Sequence, residues 1–195
     1  MEIKIRLETE NDYYEVENLT REAFWVFPGR EDGCDEHYLV YKMRTCPDFI
    51  KELDYVALID DKITGNIMYS KCKIIDTNNI EHEIITFGPV SVLPLYQKKG
   101  IGTKLINFTL EKARELGYRA VMIYGHPEYY PRFGFKDAKE FNITTHDGKN
   151  FDAFMICELY KDALAGISGK GYISPVYYDL NADDVKEFDK KFSPK

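Results

Sequence analysis

Residues 88–117 read GPVSVLPLYQKKGIGTKLINFTLEKARELG. An uncharged, largely apolar strand runs into a basic turn broken by glycines, Gln97-Lys98-Lys99-Gly100-Ile101-Gly102, and the turn opens an amphipathic helix. Ile101, Leu105, Ile106, Leu110, Ala113 and Leu116 share one face of that helix, and Gly117 stands where a helix ends with positive φ. The glycines leave backbone N–H groups unobstructed by side chains, at a point where a helix N-terminus adds donors without acceptors and a favourable dipole. The segment therefore reads as a backbone-built site for a pyrophosphate.

Spacing separates the phosphate-binding patterns. A P-loop needs G-x-x-x-x-G-K-[ST], and no such run surrounds Gly100 or Gly102. A dinucleotide fingerprint needs a small third residue where Leu105 stands and an acid closing the next strand, where Tyr124-Gly125-His126 stands; Glu128 keeps that alternative open. The pattern Q/R-x-x-G-x-G/A after an antiparallel strand fits at every specified position. It resembles the pyrophosphate loop of the GCN5-related N-acetyltransferases. Downstream, Tyr130-Pro131-Arg132-Phe133-Gly134-Phe135 has the form of that family's last motif, a tyrosine four residues before a Gly-Phe pair. The wider wording, GPVSVLP, GYRAV and YYPRFGF with Gly-x-Tyr-Ile-x-Pro beyond, is similar to the YhbS-type branch.

Around this centre, Ile3, Ile5 and Leu7 alternate with charged residues as in a half-buried opening strand. A helix capped by Asn11 or Asp12 follows, with Val16, Leu19, Ala23 and Phe24 inward, until Pro28-Gly29 stops it. A second helix spans about Asp35 to Arg44, with a mobile polar turn between the two. Tyr55 to Ile59, the Asp60-Asp61 turn and Ile63 to Ile75 form a hairpin, and Asn78-Asn79 turns the chain into a strand from Ile84 to Leu93. Arg119 to Tyr124 is a buried strand parallel to its predecessor. A short helical element lies around Glu128 to Phe133, and a closing strand within Phe151 to Leu159. Gly166, Gly169 and Gly171 mark a loose connection to an edge strand between Tyr172 and Tyr178, and Asn181 with Asp184 resembles the capping box of a terminal helix.

The resemblance implies an α/β (α+β) fold with a mixed, strongly bent sheet of about seven strands, strands four and five splayed apart, and helices on both faces. Residues 1–160 would form the acyltransferase domain and 161–195 an extension packed on it. It implies acetyl-CoA as co-substrate: the backbone of Val90, Ser91 and Val92 pairing with pantetheine, and Gln97, Lys98, Lys99, Gly100, Ile101, Gly102 and Thr103 around the pyrophosphate. The Val92 N–H would serve as oxyanion donor. Tyr130 is the candidate acid, since a phenol of pKa ~10 can protonate a departing thiolate whose thiol has pKa ~8.5. No base is obvious: Thr86 occupies the strand position where some relatives carry glutamate, His82 and Glu83 lie further back, and His126 is best placed. The reaction implied is direct transfer of acetyl to a primary amine; an acyl-CoA-binding protein without turnover is the alternative.

A net charge of −7 disfavours nucleic acid, and the acids Glu31, Asp32, Asp35 and Glu36 favour a cationic small-molecule or peptide acceptor. Cys34, Cys46, Cys72 and Cys157 are too irregularly spaced for a zinc site or disulfide framework, so no metal and free, mostly buried thiols are expected. No apolar run reaches the ~20 residues of a membrane helix. A cytoplasmic protein without membrane contact is expected, with a homodimer left open.

Overall fold

The computed structural model describes residues 2–25 and 34–195. Among the described residues nine strands and four α-helices follow one another: β1 (Lys4–Leu7), α1 (Tyr13–Phe24), α2 (Glu36–Met43), β2 (Tyr55–Ile59), β3 (Lys62–Asp76), β4 (Glu81–Val92), α3 (Ile101–Glu115), β5 (Ala120–Tyr124), β6 (Lys136–Asp137), β7 (Ile143–Thr145), β8 (Phe154–Glu158), β9 (Gly169–Tyr172) and α4 (Ala182–Asp189). The ladder runs β1-β2-β3-β4-β5-β8-β6, with β9 added to β3 and β7 to β9. The chain divides into two units. One comprises Met1–Met68, Gly88–Ile106 and Pro175–Lys195, the other Tyr69–Phe87 and Asn107–Ser174, and β3 and β4 contribute to both.

In the first unit Asp60 and Asp61 take φ of 50° and 59°, the left-handed values of a tight hairpin turn, and pair β2 with β3 from Tyr55↔Ile67 to Ile59↔Lys62. β2 is buried throughout because β1 and β3 flank it. Val16 and Leu19 of α1 and Val40 and Met43 of α2 pack with Val56, Leu58, Ile63 and Met68. The opening strand is an edge strand rather than a half-buried one: Ile3 and Ile5 are partly covered and Leu7 is exposed. Asp12 does not cap α1 through its side chain. Its carboxylate instead accepts from the Thr9 N–H and from Arg6, whose guanidinium holds it down to about 2. Pro28-Gly29, with Glu31 and Asp32, lies outside the described residues.

Two buried ion clusters hold the helices of this unit. Arg21, 1% exposed, donates to both carboxylate oxygens of Asp189 at 2.6 and 2.9 Å and stacks on Trp25, tying α1 to α4. Asn181 caps α4 by accepting from the Asp183 and Asp184 N–H groups. Arg44 donates to Glu8 at 2.8 and 3.1 Å and to Glu17 at 2.5 Å over the face of Tyr13. Asp54 completes this cluster: Asn66 donates to it at 3.2 Å, and burial, then its hydrogen bond with Glu8, pushes its carboxyl well above the carboxylate range. Three carboxyls facing one guanidinium would leave two uncompensated buried charges. A proton retained on Asp54 removes one of them.

In the second unit β5 is central. β8 pairs with it antiparallel from Ala120↔Glu158 to Tyr124↔Phe154, while its parallel pairing with β4 is confined to Ile85↔Val121. This matches the expected divergence of strands four and five. Ile74, Ile84, Ala120, Met122, Ile143, Phe154 and Ile156 form the core here. Two expectations change. The glycine-rich connection is itself a strand: β9 pairs Lys73↔Tyr172 to Asp76↔Gly169 on β3, and the expected edge strand at Tyr172 to Tyr178 contains instead a 3-10 turn, Pro175–Tyr177. Glycine is needed there because a Cβ on Gly171 would lie 2.4 Å from Met122 Sδ and one on Gly169 2.1 Å from the Ile75 carbonyl oxygen. With the short β6 and β7, this raises the strand count from about seven to nine. Leu116, placed on the buried face of the long helix, lies just past the end of α3 and is exposed.

Because Asp54 stays protonated in the folded state and ionises in the unfolded chain near pH 4, its contribution is complete below that value and is lost as pH rises. Asp54→Asn keeps both hydrogen bonds without the titration. The melting temperature of the variant should therefore gain on that of the wild type between pH 5 and 9, measured by calorimetry; parallel curves would assign the buried proton elsewhere.

Candidate active site

The glycine turn has the backbone of an anion cradle. After β4, Pro94–Tyr96 makes one 3-10 turn, and then Lys98 and Gly100 take φ of 60° and 85° before α3 begins. Its first bond from the turn is Lys104 N–H to the Gly100 carbonyl at 2.9 Å, so the amides of Ile101 and Gly102 precede any acceptor within the helix. Thr103 continues the same first turn. Gly100 needs its glycine for φ alone, since nothing lies within 4 Å of a Cβ built there. Lys98 and Lys99 are exposed, with the Lys99 ammonium 5.2 Å from the Tyr96 ring centroid. These groups fit a pyrophosphate: backbone donors at a helix start and two cations free to fold over it.

Gln97 stands at the entrance of the same turn. Its side-chain amide donates to the Val92 carbonyl at 3.1 Å, buckling the turn back onto the end of β4, while the Leu93 N–H donates to Thr64 of β3 at 3.0 Å. Along β4, Ser91 is fully buried and donates to the Thr20 hydroxyl of α1 at 3.0 Å, so Val90 and Val92, both half-buried, occupy the opposite face. The start of α3 is pressed onto β3 at Gly65, where a Cβ would fall 2.9 Å from Ile101 Cγ2 and 3.1 Å from the Ser91 carbonyl oxygen. Sequence reasoning missed Gly65; an isolated glycine inside a strand pattern was the available signal.

In the second unit the Tyr130 motif is a 3-10 turn, Tyr130–Phe133, closed by Gly134 at φ 91°. Tyr130 is half-buried among rings, with Phe87 at 5.9 Å, Phe135 at 5.6 Å and Tyr129 at 5.2 Å between centroids. Desolvation by these rings, with Tyr129 adding to it, pushes the phenol up to about 12, so it carries its proton at every physiological pH. The His126 carbonyl accepts from the Tyr129 N–H at 2.9 Å and the Tyr130 N–H at 3.2 Å, and its imidazole is exposed. The main chain of His126 thus holds the backbone of the turn that carries Tyr130.

Among the other candidates, Thr86 is buried, Glu83 pairs with Lys71 at 3.2 Å and His82 with Asp76 at 3.1 Å. The four cysteines stand outside any disulfide, and three of them are buried. Among the described residues no group of three His, Cys, Asp or Glu stands as a metal site, and no helix is long and apolar enough to cross a membrane.

A mixed sheet flanked by helices, a strand leaving its parallel neighbour after one register and a glycine turn opening the next helix define an acyl-CoA-dependent acetyltransferase fold. Residues 52–137 match the family model described as the acetyltransferase (GNAT) domain. The chain is similar to the uncharacterised N-acetyltransferase YhbS of Escherichia coli strain K12, 28% identical over 166 residues that cover 85% of this chain and 92% of that one. The crystal structure of E. coli YhbS in complex with CoA superposes with a TM-score of 0.78 at 25% identity, covering 92% of this chain and 93% of the other. A GNAT acetyltransferase from Brucella melitensis in complex with acetyl-CoA gives 0.70 at 28% identity, covering 90% and 98%.

The ring cage makes Tyr130 a late-ionising phenol. In fluorotyrosine-labelled protein, the fluorine resonance that disappears in Tyr130→Phe should titrate about two pH units above free fluorotyrosine; titration with the exposed tyrosines would mean that the cage is open.

Proposed function

We propose that this protein transfers the acetyl group of acetyl-CoA to a primary amine on a small molecule or peptide, by direct attack. The observation that carries the reading is the Lys98-to-Gly102 turn, whose two positive-φ residues lead straight into the first turn of α3. The CoA and acetyl-CoA complexes of the two structural relatives support it. The amides from Lys98 to Thr103 hold the pyrophosphate, with Lys98 and Lys99 as mobile counter-charges. The backbone of Val90, Ser91 and Val92 receives the pantetheine arm, and the Val92 N–H steadies the charge that develops on the thioester oxygen.

Acetyl-CoA supplies an activated acyl group; this chain's own residues manage the protons. Tyr130 donates its phenolic proton to the leaving sulfur. In water a phenol at about 12 would be a poor acid toward a thiolate whose thiol has pKa ~8.5. The apolar rings that raise the phenol penalise a neighbouring thiolate in the same way, which narrows the gap and makes proton transfer useful as the sulfur departs. His126, exposed to solvent at the end of β5, takes the proton of the acceptor ammonium. The reaction runs in a cytoplasmic, metal-free protein, and the negative net charge favours cationic acceptors.

Gly102→Val places a branched side chain in the first turn of α3, where a helix accommodates it, and obstructs approach to the amides. Acetyl-CoA affinity by titration calorimetry should fall by more than about 100-fold with an unchanged melting temperature; unchanged affinity would remove the pyrophosphate from this turn. In a thiol-release assay over polyamines, amino acids, aminoglycosides and peptide N-termini, Tyr130→Phe and His126→Gln should each lower kcat by about 10²- to 10⁴-fold at unchanged acetyl-CoA affinity. Full activity of either variant would move that role elsewhere, and tight CoA binding without thiol release on any amine would make this a binding protein.

A further inference from the structure

Gly125 joins β5 to the turn that carries Tyr130. It is not among the residues with positive φ, so its backbone would accept any L-amino acid. Its N–H donates to the Ala153 carbonyl at 2.8 Å, which fixes that backbone beside the start of β8. A Cβ built on Gly125 would lie 2.4 Å from both Cδ2 and Cε2 of Tyr130 and 3.0 Å from Ile123 Cδ1. Carbon atoms in contact sit about 3.5–4.0 Å apart, so any side chain at 125 forces the phenol ring to withdraw by roughly 1 Å or more.

The ring has no inexpensive way to withdraw. Phe87 and Phe135 bound it at 5.9 and 5.6 Å, Tyr129 meets it edge-on at 5.2 Å and Phe133 stands at 6.2 Å. Its own backbone is held by the His126 carbonyl. The atoms a new Cβ would meet belong to the middle of a wedged aromatic ring rather than to the end of a flexible chain.

We infer that Gly125 is a positioning residue for acyl transfer: the side chain it lacks is the space in which the Tyr130 ring is seated, and filling that space displaces the hydroxyl from its working position. The inference rests on Tyr130 being the acid. A displacement of about 1 Å at a reacting group is enough to lower turnover by roughly 100-fold. Acetyl-CoA binding, which belongs to the turn at Lys98 to Gly102, is untouched.

The test compares Gly125→Ala, Tyr130→Phe and the double variant in the full-length protein. Gly125→Ala should lower kcat by roughly 100-fold with the KM for acetyl-CoA within about twofold, and the double variant should be no slower than Tyr130→Phe alone, because a misplaced acid and a missing one are the same loss. In the fluorotyrosine titration the Tyr130 resonance of Gly125→Ala should shift and ionise earlier as the ring leaves its cage. Wild-type kcat in Gly125→Ala, or losses that multiply in the double variant, would overturn the inference while leaving Tyr130 as the acid. Full activity of Tyr130→Phe would overturn the acid assignment and this inference with it. Should Gly125→Ala fail to fold, Gly125→Ala with Tyr130→Ala should fold again, since the obstructing ring is gone; persistent misfolding would show that the ring is not what the alanine meets.

Discussion

The close approach of α3 to β3 at Gly65 is the contact on which the geometry of the glycine turn depends. With Ile101 Cγ2 2.9 Å from where a Cβ would stand, the start of the helix is seated directly on strand backbone, beside the Ser91 carbonyl. That seating places the first turn of α3 at the end of β4, and the Gln97 amide closes the intervening turn onto Val92. An anion cradle made of backbone donors works only if those donors are already aimed, because any reorganisation on binding subtracts from affinity. Close packing around one glycine, with a buried Ser91–Thr20 hydrogen bond alongside, supplies that preorganisation.

Much of this arrangement was legible in the sequence, and the reasons differ from element to element. The cradle was readable because positive φ and helix initiation leave local marks, Gly100 and the apolar spacing from Ile101 onward. The Tyr130 turn was readable because Gly134 ends it. What stayed hidden depends on partners distant in sequence. Gly169 and Gly171 look like a flexible connection until β3 and Met122 are seen to leave no room for side chains. Asp12 looks like a helix cap until Arg6 claims its carboxylate. Leu7 fits an alternating pattern, but β1 is an edge strand and leaves it 45% exposed. Gly125 carries no local signal at all, since its backbone is ordinary and its reason is a ring five residues on.

Polar groups inside the first unit are handled by pairing and by proton retention. Arg21 with Asp189 and Arg44 with Glu8 and Glu17 are forked contacts with little solvent, a geometry in which loss of one partner strands a buried charge at a cost of about 3–5 kcal/mol. Such clusters discriminate strongly against misdocked helices, because a helix rotated by one residue would leave a guanidinium without its carboxylates. The second unit is organised on other lines, with aromatic and aliphatic packing around β5 and a phenol, Tyr130, whose ionisation is set by the rings around it.

The first unit is also discontinuous along the chain, and its Arg21–Asp189 pair joins residues separated by 168 positions. During synthesis α1 and α2 emerge long before the carboxylate that neutralises Arg21, whereas the second unit has all of its strands by Tyr172. A nascent chain can therefore complete the second unit while the first still lacks α4, and it must carry an unmatched guanidinium and uncovered aromatic surface until translation has passed Asp189. For this protein the order of residues along the messenger sets which half matures last, and the half that carries the glycine turn is the late one.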